Sequence, residues 1–438
     1  MVKDRRFLGV LGVVAALAFV AVGCGGGDGG GDGGGGASAL PSATCSDIYY
    51  EGEGEPDVLI ASDLPLQGAN RALTTEMTEA IKLILRERKF KAGDLNVGYQ
   101  SCDDATAQAG AWDSARCTSN ARAYANNDAV VGVIGTFNSG CAKLEIPIAN
   151  RARGGPLAMI SPANTYPGLT ISGPGTVSGE PNTYYPTGKR NYARVVWTDQ
   201  FQGAAGAQLA QDLDLKKVYV LSDGETYGNG IATLFINYAK KLGVQTVGPQ
   251  KWDKNATSYE PIATRVRSSG ADSVFFGGIV CNNGGKLLKD MRAGLPNLTF
   301  VGPDGWTPIS ATIEGGGQAA DNMYITTPGI PPEDLKGRGK EFVDAFERDL
   351  GRLPDPYTNY AAQAAEILLD AIEKGGDDRA AVTKNLFGIK IKNGILGNFD
   401  IDSNGDTTLA TVSVFQIKNG ESTFIKTITP ELSFVKGG

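Results

Sequence analysis

Hydrophobic positions along the first part of the chain alternate between two periodicities. An apolar run at 57–61 predicts a strand, and apolar residues recurring every three or four positions over 73–85 predict an amphipathic helix. Three more β-rich runs, at 96–100, 129–134 and 156–160, predict further strands. Alternation of strands and helices favours a parallel sheet, because parallel strands need long crossover connections.

The same alternation restarts after Trp197. Helices are predicted at 203–212, 231–242 and 360–374, and strands at 217–221, 272–276, 298–301 and 411–416. Two such series predict an α/β protein with two doubly wound lobes.

The segments that follow the predicted strands are rich in small and polar residues. They are 62–68, 135–140, 161–165, 222–228 and 302–306. Ligands of open parallel sheets bind outside the carboxyl ends of the strands, so we expect these loops to form two facing rims of a cleft. Arg71, soon after the first strand, is a further candidate for contact with an anion, although arginines at helix starts are commonly solvated.

The N-terminus has the pattern of an export signal. Basic residues precede an apolar stretch over 7–22, which is short for a membrane span and ends in Ala21-Val22-Gly23-Cys24. This ending resembles a bacterial lipobox, so Cys24 is predicted to carry lipid. The glycine-rich segment 25–36 then predicts a flexible tether between a lipid anchor and the folded body.

Composition narrows the possible functions. The 438 residues carry a formal net charge of −7, which argues against nucleic-acid binding. The chain contains no histidine, which removes the commonest general base and metal ligand and argues against a zinc site and a serine-based catalytic triad. The run 400–405 opens like a calcium-binding EF-hand loop, but Thr411 stands where a bidentate glutamate is required, so a polar hairpin turn is expected. We therefore expect no enzyme activity, no metal and no cofactor.

The loop sequences together resemble the Leu/Ile/Val-binding branch of the type I periplasmic binding proteins, which serve ABC importers. The resemblance runs from about Pro56 to Phe434. Its motifs are Pro65–Gly68, Val133–Gly135 with Ser139, Ile160–Thr165, Pro167–Thr170, Tyr227-Gly228, Phe276–Gly278, Phe300–Gly305 and Gly397–Asp406. The implied fold has two lobes joined by three crossing segments that act as a hinge.

The resemblance also implies roles for individual residues. Ser139 at a helix N-terminus, Thr165 and the backbone near Ala163 would hold the ligand's carboxylate from the first lobe. Tyr227 and Asp304 would come from the second lobe, with Asp304 pairing with an ammonium group. Further candidates beside these positions are Asn138, Asn164 and Trp306. The alternatives from local sequence are a helix cap for Ser139, a solvated loop residue for Tyr227 and a turn residue for Asp304.

Domain boundaries and a disulfide follow from the same resemblance. We expect a signal peptide at 1–24, a tether and extension at 25–55, a first lobe at 56–197 with 326–388, and a second lobe at 198–325 with 389–438. A bond between Cys117 and Cys141 is implied. The partners of Cys45, Cys102 and Cys281 stay open.

The expected function is capture of an amino acid or a related polar molecule outside the cytoplasm for an ABC permease, on a lipid-anchored protein. A ligand-sensing module for a signalling partner, or a receptor for an amide, urea or a small organic acid, is the alternative.

Overall fold

The computed structural model describes residues 37–436, so Cys24 and the expected signal peptide lie outside the described residues. A six-stranded sheet forms the first lobe, with helices packed on both faces. Its elements are β1 Val58–Leu64, α1 Arg71–Glu87, β2 Lys91–Ala92, β3 Leu95–Asp103, β4 Ala105–Thr106, β5 Ala111–Trp112, α2 Ser114–Asn126, β6 Val130–Gly135, α3 Ser139–Ala149, β7 Ala158–Ser161 and β8 Tyr192–Arg194. The strand order is β2-β3-β1-β6-β7-β8, and every pairing is parallel except β2 with β3.

The second lobe has a seven-stranded sheet. Its first elements are α4 Asp199–Asp212, β9 Lys217–Ser222, α5 Thr226–Lys241, β10 Gln245–Lys251, α6 Glu260–Ser269, β11 Ser273–Gly277, α7 Gly284–Gly294, β12 Thr299–Gly302, α8 Ile309–Gly316 and β13 Met323–Pro328. The strand order is β10-β9-β11-β12-β13 followed by two antiparallel strands from the end of the chain, described below. The central strands β9, β11, β12 and β13 are mostly buried because helices cover both faces of the parallel part.

The chain then returns to the first lobe before it ends in the second. The returning elements are α9 Arg338–Leu350, α10 Pro356–Gly375, α11 Arg379–Lys384, β14 Ile389–Gly394 and β15 Gly397–Ile401. The final elements are β16 Val412–Lys418, β17 Glu421–Ile428 and α12 Leu432–Lys436. The predicted fold of two doubly wound lobes with three crossing segments is confirmed.

One domain boundary differs from the expectation. The second lobe was expected to resume at residue 389, but the β14–β15 hairpin packs Ile395, Phe399 and Ile401 into the core of the first lobe. The chain joins the second sheet only at Val412. The expected polar turn within 400–405 is present, since Ile401 pairs with Thr407 around it.

The three crossing segments are hydrogen-bonded to one another at Thr411. Its carbonyl oxygen accepts from Trp197 Nε1 at 2.8 Å and from the amide of Gly329 at 2.9 Å. Trp197, Gly329 and Thr411 belong to the first, second and third crossings respectively, so the Thr411 carbonyl links all three.

Two disulfides fix the first lobe. Cys117 in α2 is bonded to Cys141 in α3, which confirms the expected pair, and Cys45 is bonded to Cys102 in β3. The second bond fastens the expected N-terminal extension, residues 37–55, along the first sheet, and Cys281 keeps a free thiol. Between residues 37 and 436, no helix has the length and apolar character needed to cross a membrane.

Candidate ligand-binding cleft

The loops after the parallel strands meet in one cleft between the lobes. All five residues proposed for ligand contact line it: Ser139, Ala163 and Thr165 from the first lobe, and Tyr227 and Asp304 from the second. The cavity left in the cleft has a volume of about 30 Å³. This arrangement follows from the topology, because parallel strands deliver the loops after their carboxyl ends to the same edge.

The first-lobe wall is built around the N-terminus of α3. Ser139 and Gly140 are the first residues of this helix, and the side chain of Asn138 before them makes no capping hydrogen bond. The first amide N–H groups of a helix have no intrahelical acceptor, and together they carry partial positive charge. This end of the cleft can therefore bind a carboxylate without a cationic side chain.

A buried hydrogen-bond network holds that wall in place. Ser161 Oγ accepts from the amides of Ala163 and Asn164 at 3.1 and 2.9 Å, and it donates to the Thr136 carbonyl at 2.8 Å. The side-chain amide of Asn164 donates to the Phe137 carbonyl at 2.9 Å. Asn164 thus joins the two rim loops from behind and does not line the cleft, contrary to its place among the candidates.

Asp304 is the acidic centre of the opposite wall. Its Oδ1 accepts hydrogen bonds from Tyr227 Oη at 2.5 Å and from Gln202 Nε2 at 2.6 Å, and its Oδ2 accepts from Tyr357 Oη. The side-chain donors thus place two hydrogen bonds on Oδ1 and one on Oδ2. Burial raises the pKa of Asp304, and hydrogen bonds from these three side chains and from the Gly305 amide act in the opposite direction.

A second buried carboxylate lies behind this wall. Asp199, the first residue of α4, is fully buried, and its Oδ2 has no hydrogen-bond partner among the described residues. Gln202 Nε2 stands 3.4 Å from Asp199 Oδ1, so it lies between the two carboxylates. Burial, and then the nearby Asp304, raise the pKa of Asp199 well above its ordinary value. A positive charge in the cleft would relieve this accumulation of negative charge.

Two hydrogen bonds cross the cleft and join the lobes. One runs from Tyr357 in α10 to Asp304, and the other from Trp112 Nε1 to Glu225 Oε2 at 3.0 Å. The structure therefore shows the lobes in contact across the site. Lys254 Nζ also lies 3.3 Å from Glu225 Oε1.

Of the three remaining candidates, one lines the cleft and two lie elsewhere. Asn138 lines the cleft. Trp306 is buried in the core of the second lobe, where Nε1 donates to the Phe276 carbonyl at 2.9 Å. Arg71 is exposed at the start of α1 and lies outside the cleft lining. Neither Trp306 nor Arg71 is placed to contact a ligand.

Sequence reasoning missed several residues of the site. Further lining residues are Phe137, Gly140, Asp223, Glu225, Ile279, Gly305 and Tyr357. Most belong to rim loops that the sequence does identify. Tyr357 does not, and its only local signal is Asp355-Pro356 before it, a helix-start pair that places this tyrosine in the first turn of α10.

A family model for periplasmic binding proteins matches residues 60–422. The chain belongs to the periplasmic binding protein family. Within it, the chain is of the type I, branched-chain amino acid class. Members of this class bind solutes and are not enzymes.

Several similar proteins align with most of the length of this binding protein. An amino acid binding protein of Pseudomonas aeruginosa is 29% identical over 66% of the chain and 72% of its own length. A Leu/Ile/Val-binding protein homologue of Brucella abortus is 25% identical over 86% and 95%. The crystal structure of a leucine-binding protein, LivK, from Thermotoga maritima has a TM-score of 0.74 at 25% identity, covering 85% of this chain and 99% of the other.

Proposed function

We propose that the protein captures a free amino acid outside the cytoplasm and delivers it to an ABC permease. The observation that supports this proposal is that a helix N-terminus and the buried carboxylate of Asp304 line the same cleft. An α-amino acid carries a carboxylate and an ammonium that suit these two ends. The names of the similar proteins, which bind amino acids or leucine, support the same ligand class.

The charge balance of the cleft supports an ammonium in particular. Among the described lining residues, Asp223, Glu225 and Asp304 are acidic and none is lysine or arginine. Burying an uncompensated charge is costly, and closure over an acid without an amino group would leave the Asp304 carboxylate without a cationic partner. We therefore expect amino acids to bind and simple carboxylic acids of the same size to be rejected.

Lipid anchoring completes the proposal. With Cys24 acylated and a glycine-rich tether of about 12 residues, which spans roughly 20 Å, the folded body would stay near a membrane permease. A sensory role, in which lobe closure is read by a signalling partner, would use the same cleft residues.

A thermal-shift panel tests the ligand class. We expect at least one amino acid to raise the melting temperature, since a ligand that binds only the native state stabilises it. The matched control is the corresponding deaminated acid, for example 4-methylpentanoate for leucine. A panel in which deaminated acids, amides or urea stabilise the protein and amino acids do not would contradict the proposal. Transport of the identified amino acid by cells with and without this protein separates delivery from sensing.

A further inference from the structure

The first lobe contains a second concentration of buried polar groups, away from the ligand cleft. Asp63 at the end of β1, Asp104 after β3, Glu145 in α3, and Asn120 and Tyr124 in α2 are all at most 1% exposed. We call these five side chains the acidic pocket. They lie around the Cys117–Cys141 disulfide, which joins α2 to α3.

Most side-chain oxygens of the acidic pocket have no hydrogen-bond partner within bonding geometry. Six have no partner: Asp63 Oδ2, both Asp104 carboxylate oxygens, Asn120 Oδ1, Tyr124 Oη and Glu145 Oε2. They are half of the twelve such buried side-chain atoms between residues 37 and 436. Buried polar atoms are almost always paired, so a concentration of this kind calls for a bound ion, water or proton.

The other carboxylate oxygen of Glu145 lies against the disulfide. This oxygen, Oε1, lies 3.3 Å from Cys141 Sγ. A disulfide sulfur carries no proton, so this contact is not a hydrogen bond. Asn120 Nδ2 donates to Asp63 Oδ1 at 3.0 Å, and Glu145 and Tyr124 also interact with the Asp63 carboxyl group.

The acidic pocket also lacks a basic partner among the described residues. The two fully buried arginines are engaged elsewhere: Arg194 pairs with Asp406, and Arg379 donates to backbone carbonyls around the end of α2. Three carboxyl groups in a dry interior cannot all remain ionised without compensation. Burial raises the pKa of Asp104 and Glu145 well above their ordinary values and that of Asp63 to about 6.

Asp63 and Glu145 form one close group of carboxyl oxygens, and Asp104 belongs to a second group. A carboxylate oxygen of Asp63, one of Glu145 and Cys141 Sγ all lie within 4.8 Å of one another. A carboxylate oxygen of Asp104 lies within the same distance of Cys117 Sγ and Cys141 Sγ. Because the sulfurs are bonded to each other, they are not thiolate ligands, and the available donors are oxygens.

We propose that the acidic pocket binds a hard divalent cation, with Ca²⁺ the first candidate. Carboxylate, amide and hydroxyl oxygens are the ligands of such ions, and Ca²⁺ accepts six to eight of them in flexible geometry. Mg²⁺ retains several waters and fits a closed interior less well. The cation would tie β1 and α2 to α3, the helix whose first residues, Ser139 and Gly140, line the ligand cleft.

Metal analysis of the full-length protein, with both disulfides formed, tests the proposal. After gel filtration in chelator-treated buffer, we expect a stoichiometric divalent cation. Dialysis against EDTA should lower the melting temperature, and Ca²⁺ alone should restore it at neutral pH. A protein that contains no divalent cation and shows no shift with millimolar Ca²⁺ or Mg²⁺ would overturn the proposal, as would restoration by Zn²⁺ only.

Substitutions test whether the acidic pocket is responsible for the Ca²⁺-dependent shift in melting temperature. Glu145→Gln should abolish the Ca²⁺-dependent shift, and Asp104→Asn serves if the first variant does not fold. The control is Asp355→Asn, because Asp355 is a half-buried acid of the same lobe outside the pocket. This control should keep the full Ca²⁺ shift. If it loses the shift as Glu145→Gln does, or if Glu145→Gln retains it, the acidic pocket is not the site.

Discussion

The hydroxyl of Tyr357 in the first lobe donates a hydrogen bond to Oδ2 of Asp304 in the second. The acidic group proposed to hold the ligand's ammonium is therefore also a point where the lobes meet. Tyr227 and Gln202, both from the second lobe, occupy the other oxygen of the carboxylate. Ligand recognition and lobe closure thus depend on one side chain.

Removing the charge of Asp304 should weaken amino acid binding strongly. Asp304→Asn keeps the size of the side chain but leaves a buried ammonium without an anion. Loss of one partner of such a pair costs about 2–5 kcal/mol, so we expect affinity to fall about 30-fold or more. Calorimetry with the amino acid found in the thermal-shift panel measures the loss. The exposed Asp253→Asn is the control, and equal affinities for the two variants would refute the assignment.

Removing only the hydroxyl of Tyr357 should have a smaller effect. Tyr357→Phe keeps the charge of Asp304 but deletes a hydrogen bond to it, and bonds to charged groups contribute about 1.5–3 kcal/mol. We expect affinity to fall by about tenfold or more, since about 1.4 kcal/mol corresponds to a factor of ten. Tyr360→Phe is the matched control, because Tyr360 is a buried tyrosine of the same helix. A loss shared by both variants would indicate a general effect on α10.

Ser139→Ala tests the carboxylate end of the cleft. The backbone amides of α3 remain in the variant, so the expected cost is about 1–3 kcal/mol, less than for Asp304. Ser114→Ala, at the first position of α2, is the control for an effect on helix starts. Calorimetry should show weaker binding for Ser139→Ala alone. Unchanged affinity would leave Ser139 with only a structural role.

The sequence predicts the cleft well wherever a functional residue follows a strand. Ser139 and Tyr227 are brought to one site by this rule, because parallel strands end at a common edge. Asp304 follows in the same way after β12. Their roles in binding remain predictions, but their meeting is a consequence of topology.

The sequence predicts site residues poorly where the direction of a side chain decides whether it faces the cleft. Trp306 lies two residues after Asp304 in a short 3-10 turn, yet its indole points into the core. Asn164 is polar and adjacent to Thr165, but its side-chain amide is hydrogen-bonded to the Phe137 carbonyl and does not line the cleft. Tyr357 belongs to α10, which follows the second crossing, and no local pattern shows which lobe that helix covers.

Asp355 should make stability depend on pH near neutrality. Burial, followed by the charge of Glu76, raises its pKa to about 7. The folded state therefore holds this proton more tightly than the unfolded state, whose aspartates titrate near 3.9. The stabilising contribution is complete below about pH 4 and is lost as the pH rises through about 7. Asp355→Asn should stabilise the protein relative to wild type at pH 8, with the difference shrinking towards pH 4. Asparagine also caps helices, so the start of α10 is retained.

Melting temperatures between pH 4 and pH 8 measure this difference. The exposed Asp334→Asn should show no such trend. A constant difference between Asp355→Asn and wild type at every pH would contradict the proposed titration.

Anchoring at Cys24 is the prediction on which delivery to a permease depends. If this cysteine carries lipid, the full-length protein should sediment with membranes, and Cys24→Ala should release it to the soluble fraction. Cys281→Ala is the matched control, because it removes the free thiol of the folded body and leaves the lipobox intact. Since none of the helices over 37–436 is long and apolar enough to cross a bilayer, the folded body offers no helical span as a substitute. Membrane retention of Cys24→Ala would therefore refute lipidation at this cysteine, while the ligand-binding proposal would stand.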